Sequence, residues 1–171
     1  MITTILATDV KWNIWNEWKL LIHISEDLKR FKKITSEWNV IMWRKTFDSI
    51  ISILWKPLPW RTNFIITKWD WQEYIEKYWN KIEIINSMNL NDIKKLTNSD
   101  DKELFVIWWA QIYNLLWNKT DKIELTLINK DFWNCDAKVD LDKLLNWFSL
   151  ENNIKSKNEK VSYDFKTYIK N

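Results

Sequence analysis

The chain has 171 residues, with 26 Lys and Arg against 23 Asp and Glu, a net charge of +3 and a pI near 8.8. That length suffices for one domain with a proper core, and a charge so mild and so dispersed excludes a nucleic-acid surface. The single cysteine, Cys135, excludes an internal disulfide, and no run approaches the roughly 18 apolar residues of a membrane span. The N-terminus lacks a basic flank and a cleavage site, so the sequence reads as one cytoplasmic domain over residues 1–171.

In chain order, residues 1–8 form a short apolar run suited to a buried strand. Residues 25–35 read as a helix: Ser25 suits the N-cap, Glu26 and Asp27 suit the positive end, and Leu28, Phe31, Lys32 and Thr35 share one face. Residues 39–42 and 63–67 are further apolar strands, and 44–51 and 90–96 are short helices. A strand over 104–107 runs into Trp108-Trp109, after which 110–116 resumes helical spacing. The end of the chain changes character, because Ile123, Leu125 and Leu127 and then Val161, Tyr163, Phe165 and Ile169 keep a two-residue period. The fold class is therefore α/β: a central mixed, mostly parallel sheet flanked by about four helices, with an antiparallel C-terminal strand.

Fifteen tryptophans and no glycine are the anomaly of this composition, since an average chain carries roughly 7% Gly. The tryptophans sit where the chain should turn, as in Lys11-Trp12-Asn13, Pro59-Trp60-Arg61, Trp117-Asn118 and Trp133-Asn134. Only glycine takes positive φ without a Cβ clash, so every Trp is read here as standing at a glycine position. Two origins fit: a deliberate replacement of every glycine, or a UGA codon that means glycine in the host and is read as tryptophan. Lys outnumbers Arg 23 to 3 and Ile and Asn are abundant, the bias of an AT-rich genome, which favours the second.

With glycine in those places, residues 40–46 become a strand, a glycine and a helix N-terminus that carries Arg44 and Lys45, a place for a phosphate. Residues 106–113 become a second strand, Gly-Gly and helix, where bare backbone can approach a pyrophosphate. An acid in a helix's first turn, such as Asp27, is by itself more often a surface residue that complements the helix dipole.

The runs Ile14-Trp15, 23–28 with Phe31 and Lys32, 40–47, 56–61 and 105–113 together resemble dihydrofolate reductase over nearly the whole chain. That family has Gly at Trp15, Trp43, Trp60, Trp108 and Trp109. One departure stands out: the family's usual Pro-Trp is replaced by Leu21-Ile22, which removes the side chain that makes a water-mediated contact there. The resemblance implies reduction of 7,8-dihydrofolate to tetrahydrofolate by hydride transfer from NADPH, sensitivity to antifolates, and a monomer without nucleic-acid, membrane or metal partners.

Site residues follow from the resemblance alone. Asp27 would be the acid of the pterin pocket, supported by Thr126, with Tyr113 near nicotinamide and pterin. Ile5, Ala7, Leu28, Phe31, Ile50, Leu58 and Ile107 would wall the substrate, with Lys32 beside them, and Arg61 would clamp the glutamate α-carboxylate. The cofactor would lie against Ala7, Ile14, Trp15, Trp43, Arg44, Lys45, Thr46, Thr67, Lys68, Trp108, Trp109, Ala110, Gln111 and Ile112, with Arg44 and Lys68 toward the 2′-phosphate. His23 receives no proton-transfer role. The alternatives are the related NADPH-dependent reductase of riboflavin synthesis, a Trp-rich binding module, and an inactive Trp-for-Gly variant of the fold.

Overall fold

The computed structural model describes residues 1–16, 19–68, 71–78, 81–85, 103–107, 113, 116–133 and 135–171. In chain order the elements are β1 (Ile2–Asp9), β2 (Asn13–Asn16), β3 (Lys19–Leu20), α1 (Ser25–Thr35), β4 (Asn39–Trp43), α2 (Arg44–Leu54) and β5 (Thr62–Ile66). Then come α3 (Gln72–Lys77), β6 (Ile82–Ile85), β7 (Leu104–Ile107), a 3-10 turn (Trp117–Lys119), β8 (Lys122–Ile128), β9 (Ala137–Lys138), α4 (Leu141–Leu145), β10 (Phe148–Lys157) and β11 (Ser162–Lys170).

Eight strands form one sheet in the order β10-β11-β8-β1-β7-β4-β5-β6. The six strands from β8 to β6 are parallel, and β11 and β10 close one edge antiparallel. The expected mixed, mostly parallel sheet is thus present with its antiparallel C-terminal strand, β11; the strand β10 that pairs with it at the edge was not expected from the alternation. A small second sheet, β3-β2-β9, was not legible in the sequence.

The parallel strands are apolar on both faces, as strands covered on both sides must be. Val40, Met42, Ile65, Phe105 and Ile107 pack with Phe31 of α1 and Phe47 and Ile50 of α2. Their neighbours Ile41, Phe64, Ile66, Leu104 and Val106 turn to the other face and pack with Tyr113, Leu116, Leu141 and Leu144. Alternation along each strand therefore splits the core into two layers and places α1 and α2 together over one of them. Among the described residues no helix is long and apolar enough to cross a membrane.

Helix α1 spans the residues expected of it, but its first residue is Ser25 and its N-cap is Ile24, with no side-chain cap bond. The expected Ser25 cap is corrected accordingly: the serine is already helical. The helices expected over 90–96 and 110–116 lie outside the described residues, apart from Tyr113 and Leu116.

Asp9 ends β1 with a fully buried carboxylate that fastens the turn behind it. It accepts from the backbone N–H groups of Lys11, Asn13 and Phe132 at 2.8, 2.9 and 2.9 Å, and from the Asn13 amide at 2.7 Å. Burial alone would raise its pKa, yet these donors hold the carboxyl below its ordinary value.

The left-handed backbone region holds four of the described residues: Trp12, Glu37, Trp55 and Trp60, at φ of 64°, 72°, 59° and 63°. Three of the four are tryptophan, the bulkiest side chain in the place that best suits none. Trp55 terminates α2 in the αL conformation, donating its N–H to Ile51 at 2.8 Å, the helix-ending geometry usually given to glycine. Trp55, Trp60 and Trp133 leave 85%, 79% and 92% of their surface in solvent.

Candidate active site

Asp27 stands in the first turn of α1, one turn before Phe31, and α1 faces β8. The Thr126 hydroxyl of β8 donates to Asp27 Oδ1 at 2.5 Å. Burial pushes the Asp27 carboxyl above its ordinary pKa, while the Thr126 hydrogen bond and the nearby Arg30 guanidinium pull against that rise. Beside Thr126 in the sheet lies Ala7 of β1, and Ile5 of β1 lies beside Glu124 and Ile107.

A cleft of about 390 Å³ opens between α1 and α2. Leu28, Phe31 and Lys32 of α1, Ile50 of α2, and Leu58 and Arg61 of the following loop all line it. Six of the residues named from the sequence therefore converge on one cavity. Ile5 and Ile107 stand behind it, packed with Phe31, Ile50 and Leu58 in the same buried layer. The cleft also takes in Leu20, His23, Ile53, Leu54, Lys56 and Pro59, which sequence reasoning did not name as lining. The signal was present for Ile53 and Leu54, which follow Ile50 at helical spacing.

Arg61 is anchored from three sides. Its Nε donates to the Thr35 hydroxyl at 2.9 Å, Nη1 to the Pro59 carbonyl at 2.7 Å, and Nη2 to the Lys32 carbonyl at 3.3 Å. The guanidinium also lies 5.6 Å from the Phe31 ring centroid, and burial lowers its pKa. These three bonds fix the plane of the guanidinium, whose fork is the kind of donor a carboxylate accepts side by side.

Tyr113 is buried, and its hydroxyl donates to the Ile5 carbonyl at 2.9 Å. Ile14 is buried in the opposite core layer from the cleft, and Trp43 packs against that layer. Trp15 lies in β2. Trp43 ends β4 and forms the N-cap of α2, whose first turn brings Arg44, Lys45 and Thr46, with no acid and no side-chain cap bond. Arg44 pairs with Asp48 at 3.7 Å and lies 5.6 Å from the Trp71 ring centroid. Thr67 and Lys68 follow β5, whose Ile66 is the register partner of Trp43. The carboxyl ends of β4 and β5 thus bring three cations and an uncapped helix start to one edge, which suits an anion. Trp108, Trp109, Ala110, Gln111 and Ile112 lie outside the described residues.

An acid held between helix and sheet, an apolar cleft with an anchored guanidinium, and a cationic strand edge mark an α/β enzyme that joins a partly apolar acid substrate to a phosphate-bearing ligand. The dihydrofolate reductase family model matches residues 1–170. Dihydrofolate reductase from Bacillus subtilis is 33% identical over 165 residues, covering 96% of this chain and 90% of its own length. A bifunctional dihydrofolate reductase-thymidylate synthase from Paramecium tetraurelia is 30% identical over 168 residues, covering 96% of this chain and 34% of its own. In fold, the chain is similar to Enterococcus faecalis dihydrofolate reductase complexed with NADP(H) and RAB-propyl, at a TM-score of 0.81 and 21% identity, over 100% of this chain and 96% of that one.

The chain belongs to the dihydrofolate reductase family. Its reaction is the reduction of 7,8-dihydrofolate to 5,6,7,8-tetrahydrofolate, with NADPH as the cofactor. The riboflavin-synthesis alternative is not favoured.

Proposed function

We propose that this reaction is carried by Asp27, which precedes the cleft-lining Leu28 on α1, and by Thr126, in a polypeptide that bears glycine at the Trp positions. The observation that carries the first part is the Thr126–Asp27 hydrogen bond, which holds the one partly buried acid of α1 in a single orientation, one residue before the cleft-lining Leu28. Bound NADPH supplies a hydride for C6 of the pterin, while N5 takes a proton. Thr126 occupies Oδ1, so Oδ2 is the atom assigned to the pterin's 2-amino and N3 side. Because burial raises its pKa, Asp27 keeps a proton to higher pH than an exposed aspartate and can promote protonation of N5 through water.

Leu28, Phe31, Ile50 and Leu58 of the cleft, with Ile5 and Ile107 behind and Ala7 beside Thr126, take the pterin and benzoyl groups and exclude water; Arg61 takes the glutamate α-carboxylate, with Lys32 at the rim. Tyr113 fixes the Ile5 carbonyl of β1. Arg44, Lys45, Thr46, Thr67 and Lys68 hold the cofactor phosphates. Ile14, Trp15, Trp43 and residues 108–112 complete that site by the family resemblance. The same reading describes one domain over residues 1–171, a cytoplasmic monomer that takes dihydrofolate and antifolates.

The second part rests on backbone handedness. A left-handed residue with a Cβ costs about 1 to 2 kcal/mol, so Trp12, Trp55 and Trp60 together cost about 3 to 6 kcal/mol against a domain stability of about 5 to 15 kcal/mol. Glycine removes that cost and, at Trp55 and Trp60, also withdraws indoles that lie in solvent.

The test compares the printed chain with its all-glycine counterpart, by fluorescence titration with NADPH and methotrexate and by dihydrofolate-dependent NADPH oxidation. The glycine form should bind both and turn over, and the printed chain should not. A glycine form that binds NADPH yet fails to reduce dihydrofolate would overturn the catalytic assignment. The codons of the gene, or the intact mass of the native protein, decide the glycine assignment separately.

A further inference from the structure

Behind Asp27 lies a charged pair that the reaction itself does not use. Asp27 and Arg30 are three residues apart on α1 and share a face, while Glu124 and Thr126 are two apart on β8 and share a face of the sheet. The two elements therefore meet in two rungs: Thr126 donates to Asp27, and Arg30 Nη2 donates to Glu124 Oε2 in an ion pair. The side chains of Arg30 and Glu124 are only 18% and 7% exposed.

Glu124 is fully engaged. Its Oε2 also accepts from the Thr167 hydroxyl at 2.9 Å, and its Oε1 pairs with Lys122 Nζ at 2.8 Å. Arg30 is held on its other side by Phe165, with its guanidinium carbon 5.0 Å from the ring centroid. The guanidinium is thus engaged by β8 and β11, and its charge, which still reaches Asp27, is met by a carboxylate in a half-dry environment, where charges are weakly screened.

We propose that Glu124 is a positioning residue for the reductase reaction, acting through Arg30: it engages the guanidinium and offsets its charge, so that less of that charge reaches the Asp27 carboxyl. This rests on the reading of Asp27 as the site acid. An unpaired Arg30 would instead favour ionised Asp27, since an opposite charge at close range stabilises the carboxylate. The other groups facing this layer are Glu26 of α1, which accepts from the Tyr163 hydroxyl of β11 at 3.4 Å, and Lys122 of β8. From β1 come the uncharged Ile5 and Ala7, and from β11 Phe165 and Thr167.

The experiment uses the full-length all-glycine protein and two variants, Glu124→Gln and Arg30→Gln. The pH titration of the Asp27 side-chain carbon is followed by carbon-13 NMR, and the single-turnover rate of hydride transfer is measured over the same pH range. Glu124→Gln keeps the shape and a hydrogen-bond acceptor but frees the Arg30 charge, so the Asp27 midpoint should fall by about one pH unit. Arg30→Gln removes the cation and leaves Glu124 as a like charge, so the midpoint should rise. A purely structural pair would move neither midpoint, or would move both the same way, and either result overturns the proposal. If one variant does not fold, the sign of the other decides. Midpoints that move as stated while the pH profile of hydride transfer stays fixed would sustain the Arg30–Glu124 coupling and refute Asp27 as the site acid.

Discussion

Thr126 and Asp27, 99 residues apart in sequence, are joined by a 2.5 Å hydrogen bond between the middle of a parallel strand and the first turn of a helix. A single donor on one oxygen leaves a carboxyl that is oriented but only partly compensated for its loss of water, which is why burial outweighs the hydrogen bond and its pKa stays high.

Replacing Asp27 by Asn keeps the shape and the Thr126 contact but removes the acid. Hydride transfer to dihydrofolate at pH 7 should fall by roughly 10²- to 10⁴-fold, with partial recovery at low pH, where solvent protonates N5. NADPH affinity should hardly change. Stability should move the other way. A raised carboxyl pKa means that the folded state binds more protons than the unfolded state just above the ordinary value, so Asp27 costs stability as pH rises through that window. Asp27→Asn should therefore be more stable than the parent at pH 7, and the gain should vanish below pH about 4. Thermal melts at both pH values check the sign.

Asp9 should behave in the opposite sense. Its depressed pKa supplies stability that is present above the ordinary aspartate value and is lost as pH falls through the folded value. Asp9→Asn places an amide donor against the donors of Lys11, Asn13 and Phe132, and should cost about 1 to 3 kcal/mol at pH 7. Urea denaturation of the variant should show less acid sensitivity than the parent.

In the printed chain, Trp55→Gly and Trp60→Gly, whose indoles lie in solvent, should each stabilise by about 1 to 2 kcal/mol, because each relieves a left-handed backbone, while Trp12→Gly should gain less, because it also loses core packing and the hydrogen bond to Asp142. Trp71, buried at φ −129°, should lose stability on the same change, since its side chain packs against Tyr74 and needs no glycine backbone. Denaturant midpoints that respond alike at all four sites would show that backbone handedness is not the cause.

Arg61→Lys retains the charge and loses the fork. With the three protein contacts of the guanidinium gone and no parallel N–H pair left, the KM for dihydrofolate should rise about tenfold or more, equivalent to about 1.4 kcal/mol, with kcat little altered. Steady-state kinetics that show a fall in kcat at constant KM would remove Arg61 from the substrate clamp.

The sequence by itself determined the local elements whose pattern is self-contained. Helix α1 over Ser25–Thr35 and strand β7 over Leu104–Ile107 fall where the apolar spacing put them, because burial of one helical face or of a whole short strand is written into consecutive residues. It also raised the question of tryptophan at turns, and Trp12 before Asn13 and Trp60 after Pro59 do take positive φ. The ten-residue strand β10 was invisible, because its residues are mostly polar and exposed and it is held only by backbone pairing to β11, across a register shift between Leu150 and Asn152. Tertiary structure alone decided that β8 lies beside β1 under α1, and so which threonine meets Asp27 and which glutamate meets Arg30. Those partnerships depend on sheet order and register, which are set by the packing of all eight strands and by no local run of residues.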